Sequence, residues 1–76
     1  MTREEIKVYL DGGDYIKIAR RCGAKGMPTT RKYVSDVLNG HRNSLKGTGK
    51  MILDEAELLA GENKKLIEGS TNNHIQ

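Results

Sequence analysis

Apolar residues recur along this chain at the three- and four-residue spacing of amphipathic helices, and glycines separate one apolar stretch from the next. In the first stretch, Ile6, Tyr9 and Leu10 share one face. Thr2 and Glu5 stand at the spacing of a capping box, in which each side chain accepts a hydrogen bond from the other residue's backbone N–H. The pattern predicts a first helix that ends at about Leu10, before two consecutive glycines.

A second helix is predicted from Asp14, whose carboxylate suits an N-cap, to Gly23. Its apolar stripe consists of Tyr15, Ile18, Ala19 and Cys22. The segment 24–30, AKGMPTT, contains a glycine and a proline, so we expect a long exposed turn there. Thr29 or Thr30 is expected to cap the helix that follows.

The third predicted helix, about residues 30–39, places Val34, Val37 and Leu38 on its inner face and ends at Gly40. Because a helix turns about 100° per residue, a second set of side chains falls on the opposite arc. These side chains are short, polar or charged: Lys32, Ser35, Asp36 and Asn39, with Arg31 at the margin and Tyr33 on the other edge. This helix therefore has an apolar side for a core and a hydrogen-bonding side for a partner.

A longer fourth helix is predicted from about Thr48 to Glu68, with Gly61 as a weak point where it could break in two. Its apolar stripe runs through Ile52, Ala56, Leu59, Asn63, Leu66 and Ile67. No strand pattern or internal repeat is present in the sequence. We therefore expect an all-α domain over residues 1–68, a four- to five-helix bundle with a long turn, and a flexible polar tail over 69–76.

Composition argues against a catalytic pocket. A chain of 76 residues with 16 Ile, Leu and Val, three Tyr, no Phe and no Trp forms only a thin core, so no enzyme and no cofactor is expected. His41 and His74 have no partners at metal-ligand spacing. A single cysteine, no signal-peptide pattern and no membrane-length apolar run predict a cytoplasmic protein with Cys22 in its core.

Charge is unevenly distributed along the chain. Residues 14–50 contain nine Lys and Arg against two Asp, which gives +7, whereas residues 1–13 sum to −1 and residues 51–76 to −3. A basic centre with acidic flanks is typical of a surface that meets a polyanion, although the same cations could simply solvate helix faces.

Two short helices joined by a turn, the second with a polar outer face, match a DNA-binding helix-turn-helix, whose second helix enters the major groove. On that interpretation Arg31, Lys32 and Asp36 contact base edges. Ser35 and Asn39 hold phosphates. Beyond the helix end, phosphates meet three further side chains: His41, Arg42 and Lys46.

Three segments, IKIARRCG, YVSDVLNGHRN and KMILDEAELL, resemble the DNA-binding headpiece of the lactose-repressor family. They are more distantly similar to lambda-repressor-like and Cro domains of phages. The resemblance covers roughly residues 14–60 and rests on Ala19 and Gly23, the Val34–Ser35 pair, Val37–Leu38–Asn39, and Ile52, Ala56, Leu58 and Leu59. It implies base-reading positions at Arg31, Lys32 and Asp36, and phosphate contacts at Thr30, Ser35 and Asn39. This chain differs from the family in its longer turn and in the acid at position 36, and from the sequence we expect no ligand-sensing domain.

The sequence thus predicts a bacterial or phage-type transcriptional regulator that binds double-stranded DNA. The alternative is a non-enzymatic protein-interaction module on the same fold; an RNA-binding domain is less favoured because the sheet with aromatic platforms is missing from the pattern. Surplus apolar residues on the last helix indicate a homodimer seam, unless the first helix covers them: Met51, Leu58, Leu66 and Ile67.

Overall fold

The computed structural model describes the backbone of residues 1–75 and the side chains of residues 1–69. This part of the chain contains four helices and no strand: α1 (Arg3–Val8), α2 (Gly12–Ala24), α3 (Arg31–Leu38) and α4 (Gly47–Ile75). The predicted all-α fold is confirmed. Among the described helices, none is both long enough and apolar enough to span a membrane.

The start of α1 follows the prediction, and the start of α2 does not. Thr2 and Glu5 form the expected capping box. At α2 the N-cap is Asp11 and not Asp14: the Asp11 carboxylate accepts from the Asp14 amide at 2.9 Å, and the Asp14 carboxylate accepts from the Asp11 amide at 3.1 Å. This second capping box satisfies two amides at once, so the two glycines between these residues begin α2.

The end of α2 also lies beyond the predicted position. Gly23 is helical, and the left-handed residue is Gly26, with φ of +87°. The amide of Gly26 donates to the carbonyl of Gly23, and the amide of Met27 donates to that of Cys22, which is the Schellman pattern of a helix C-terminus. The connection to α3 is therefore residues 25–30.

Both ends of α3 agree with the prediction. Thr30 is the N-cap and its hydroxyl accepts from the amide of Tyr33 at 3.1 Å. The helix ends through Gly40, with φ of +82°, whose amide donates to the carbonyl of Val37. The amide of His41 donates to the carbonyl of Asp36 at 2.8 Å, so α3 ends in a second Schellman motif.

The core lies where all four helices meet, and α1, α2 and α3 each pack against α4. Its buried apolar residues come from every helix: Ile6, Ile18, Cys22, Val34, Val37, Leu38, Ile52, Ala56, Leu59 and Ala60. Tyr15 and Tyr33 pack at its rim, as predicted, and Cys22 is a buried core residue, as predicted.

Helix α4 runs through Gly61 without a break and is helical to Ile75, beyond the predicted end near Glu68. Two residues beyond Gly61, the Asn63 side-chain NH₂ group donates to the Tyr9 carbonyl at 2.7 Å and to the Asp14 carboxylate at 3.2 Å, which ties this part of α4 to the start of α2. The flexible tail predicted for residues 69–76 stays a prediction: side chains from Ser70 onward, and Gln76 entirely, lie outside the described residues.

Candidate nucleic-acid interface

Helix α3 presents its polar arc to solvent because its three apolar residues face the core. Arg31, Lys32 and Asn39 are exposed, whereas Ser35 and Asp36 are half-buried. The predicted polar arc therefore faces solvent, and its side chains differ in solvent exposure.

Arg31, at the first turn of α3, lies over the first turn of α2. A Cβ added at Gly12 would come within 3.0 Å of the Arg31 Nη2 atom. The bare glycine thus leaves room for the guanidinium, and the N-termini of α2 and α3 are neighbours. No acidic residue occupies the first turn of α3, so Arg31 and Lys32 oppose the helix dipole without a local counter-charge.

In the middle of the arc, two predicted phosphate ligands are bonded to each other. The side-chain NH₂ group of Asn39 donates to the Ser35 hydroxyl at 3.1 Å. The side-chain oxygen of Asn39, Oδ1, accepts from the ammonium of Lys7 at 2.7 Å. Lys7 belongs to α1, which the sequence pattern does not predict to be part of the site. Helix α1 therefore contributes a cation to the C-terminal end of α3.

Asp36 and Arg42, which we expected to meet bases and phosphates respectively, contact each other. The Arg42 Nε atom lies 3.9 Å from the Asp36 carboxylate, and its guanidinium lies 4.7 Å from the centre of the Tyr33 ring. The Arg42 side chain is still 54% exposed, so it can also reach a ligand in solvent. The acid at position 36 therefore has its charge compensated within the chain.

A second cation of α1 reaches the end of α3. A Cβ added at Gly40 would come within 2.9 Å of the Arg3 Nη1 atom, so the Arg3 guanidinium lies against the helix terminus. Arg3 and Lys7 are four residues apart and share one face of α1. That spacing shows in the sequence that the two cations share a face of α1, but it does not show that this face lies beside α3.

The remaining predicted ligands lie on the connection between α3 and α4. His41, Arg42 and Lys46 are all exposed. Close by, the Leu45 amide donates to the Asn43 side chain at 2.8 Å, and buried Gly49 lies against the backbone of Asn43. This connection is therefore held against the first turn of α4, with its cations outward.

The long turn between α2 and α3 is fixed to α4 by charge. The ammonium of Lys25 is bound to the carboxylate of Glu55, the only charged side chain buried in the described part of the chain. Burial raises the pKa of the neighbouring Cys22 thiol, and the Glu55 carboxylate raises it further, against a smaller opposing effect of Lys25. Helical periodicity predicts neither the ion pair between Lys25 and Glu55 nor the position of Glu55 near Cys22.

The four residues of the predicted dimer seam differ in exposure. Met51 is half-buried and packs on the core, whereas Leu58, Leu66 and Ile67 are 55%, 69% and 57% exposed. Leu66 and Ile67 line a shallow groove that also contains Val8 and Leu10. Helix α1 therefore reaches part of this surface and leaves Leu58 uncovered.

Within the described residues, no group of three or more His, Cys, Asp or Glu is placed to hold a metal ion. Comparison with protein-family models, with curated proteins and with solved structures finds no match to this chain.

Proposed function

We propose that this chain binds double-stranded DNA as a bacterial or phage-type transcriptional regulator, with α2, the turn 25–30 and α3 as a helix-turn-helix. The observation that carries the proposal is that cations from three segments gather at the two ends of α3. Arg31 and Lys32 mark its N-terminal end. Arg3, Lys7 and Arg42 surround its C-terminal end.

The dimensions of this arrangement suit a duplex. An eight-residue helix is about 12 Å long, and the major groove is about 12 Å wide. Cations at the two ends of α3 would then reach the phosphates on either side of the groove, while the arc between them faces base edges. In this arrangement Lys32 meets base acceptors, and Arg31 meets either a base or the nearest phosphate.

The intrachain contacts change the expected roles of two residues. Asp36 is neutralised by Arg42, so it does not repel phosphates as a bare carboxylate would. Ser35 and Asn39 position each other and Lys7, which assigns the direct phosphate contact to the lysine. Thr30 caps α3, and its hydroxyl hydrogen is still able to donate to a phosphate.

Binding to selected and random duplexes at two salt concentrations tests the proposal. Lys7→Ala and Lys46→Ala should weaken every duplex alike and reduce the salt slope by roughly 0.9 per lost phosphate contact. Lys32→Ala should cost about 1–3 kcal/mol on the selected duplex and much less on random DNA. Arg42→Ala should weaken the selected duplex more than random DNA, because on random DNA the arginine must first give up the Asp36 carboxylate.

Arg21→Ala is the matched control, since Arg21 belongs to α2 and its guanidinium pairs with Glu62 of α4 at 3.5 Å. It should leave both affinities nearly unchanged. Equal losses for Lys32→Ala, Lys46→Ala and Arg21→Ala would refute the α3 interface. Absence of salt-dependent binding to any duplex would favour the alternative, a protein-interaction module on the same fold.

The proposal includes a homodimer. Helix α4 leaves Leu58 and Leu66 largely exposed, and a regulator with two-fold symmetry would present two copies of α3 to a palindromic site. The exposed leucines support a second copy of this chain as the partner of α4.

A further inference from the structure

One face of α4 carries four residues at alternating spacings of four and three: Asp54, Leu58, Gly61 and Lys65. They lie along a shallow groove whose lining comes entirely from α4: Asp54, Glu57, Leu58, Gly61, Glu62 and Lys65. Because no other helix of the chain lines this groove, the face is open along its length.

Gly61 has no role inside the chain that requires a glycine. A Cβ added there would meet nothing within 4 Å, and its backbone is ordinary helix. A glycine in the middle of a helix costs about 1 kcal/mol relative to alanine. One turn away, Leu58 is 55% exposed. A glycine allows another helix to approach closely, and the exposed leucine beside it provides an apolar side chain for that helix to pack against.

Of the four charged side chains that line the groove, three form ion pairs within the chain. Glu57 pairs with the Met1 ammonium at 3.6 Å, and Glu62 pairs with Arg21 at 3.5 Å, so both flanking glutamates are compensated within the chain. Asp54 pairs with Lys50 at 2.9 Å on an exposed site. Among the described residues, no ion pair involves Lys65.

We propose that a second copy of this chain packs antiparallel on this face, with Leu58 of each copy over Gly61 of the other. A two-fold axis that crosses α4 midway between these two residues also places Asp54 opposite Lys65 of the other copy, because each lies four residues farther out. The contact therefore contains two leucine-on-glycine contacts and two ion pairs. It also places Glu57 opposite Glu62 of the other copy, and each of these carboxylates already pairs with a cation of its own chain.

A parallel arrangement lacks this complementarity. It would place Asp54 opposite Asp54, Lys65 opposite Lys65 and Gly61 opposite Gly61, so like charges would meet and the leucines would not face the glycines. The charge order along the face thus selects the antiparallel register. One pair of helices buries less than the roughly 1,200 Å² of a standard interface, so we expect a weak, micromolar dimer.

This inference rests on the homodimer of the proposed function, and its test contains no DNA, so it can fail or succeed independently of DNA binding. Sedimentation equilibrium of the wild-type chain, from micromolar to several hundred micromolar, should show a monomer–dimer equilibrium. Asp54→Lys and Lys65→Asp should each weaken the dimer by about tenfold or more, because each replaces two attractions with two repulsions.

Mixing the two variants is the decisive step. In the antiparallel register, Asp54→Lys and Lys65→Asp chains restore both opposite-charge contacts in a heterodimer, so the mixture should associate like the wild type. Arg20→Asp, an equal charge change at an exposed residue of α2, is the control and should leave the dimer constant unchanged.

Gly61→Gln separates association from folding. Glutamine is a better helix former than glycine and has free space within the chain, so thermal stability should rise while association is lost. A wild-type chain that stays monomeric over this range overturns the proposal. So does a dimer that Lys65→Asp and Gly61→Gln leave intact, or a mixture of the charge variants that fails to associate.

Discussion

Gly49 and Gly61 of α4 differ in the space around them, so substitution by alanine should change the free energy of unfolding in opposite directions. A Cβ at Gly49 would overlap the carbonyl oxygen of Asn43, where the connection from α3 passes over the first turn of α4. A Cβ at Gly61 would meet nothing within 4 Å. We expect Gly49→Ala to lower the free energy of unfolding by about 1–3 kcal/mol, because the backbone of Asn43 must move.

Gly61→Ala is the matched control on the same helix and should raise the free energy of unfolding by about 1 kcal/mol through helix propensity alone. Urea unfolding followed by circular dichroism, at a concentration where the chain is monomeric, measures both. Equal effects of the two substitutions would show that the connection does not approach Gly49.

Cys22 gives the protein a predictable response to alkali. The pKa of its thiol is raised above the ordinary value of 9.0, chiefly because the thiol is buried. The unfolded thiol therefore ionises first as pH rises, so the folded state binds more protons and loses stability above about pH 9. We expect the free energy of unfolding to fall less between pH 8 and 10 in Cys22→Ala than in the wild type, although the variant is less stable at pH 7. Parallel pH curves would contradict the raised pKa.

At the scale of elements, the ion pair between Lys25 and Glu55 holds the long turn on α4. Glu55 is 4% exposed, whereas Lys25 is 54% exposed, so removal of the lysine leaves a buried carboxylate without a partner. We expect Lys25→Met to destabilise the fold by about 1–3 kcal/mol. The double variant Lys25→Met with Glu55→Leu should recover most of that loss in thermal unfolding. A double variant less stable than Lys25→Met would show that the pair does not carry the effect.

Much of the element structure follows from local signals, and the exceptions have physical causes. The α3 bounds were predictable because Thr30 caps one end and Gly40 provides the left-handed residue at the other. The start of α2 was not, because Asp11 and Asp14 are both good caps and only the reciprocal bonds between them decide.

Contacts between elements explain the parts of the candidate site that the sequence did not reveal. Lys7 and Arg3 are close to α3 only because α1 packs on α4 beside it, and helical periodicity within α1 contains no information on that neighbour. The burial of Glu55 likewise depends on the path of the turn from α2. The residues of the polar arc were predictable, whereas their bonds to one another were not.

At the scale of the whole molecule, the proposed dimer and the proposed DNA interface make a joint prediction. Selection from random duplexes should enrich two-fold symmetric sites, because two copies of α3 are related by the axis through α4. Repeated with Lys65→Asp, the selection should still enrich the same half-site, now without its symmetric repeat. If the wild type and Lys65→Asp enriched symmetric sites equally, DNA recognition would not depend on the α4 contact.

The contact of Arg42 with Asp36 and Tyr33 has a consequence for the protein before any partner arrives. On the proposed DNA interface a phosphate would compete with this carboxylate, so the arginine would exchange one anion for another on binding. Random DNA would thus gain little from this residue, since every encounter must first displace an anion already present. A site that also satisfies Asp36, for example through a cytosine amine, recovers that cost. The chain's own carboxylate would in this way act as a competitor that suppresses weak binding and leaves cognate binding intact.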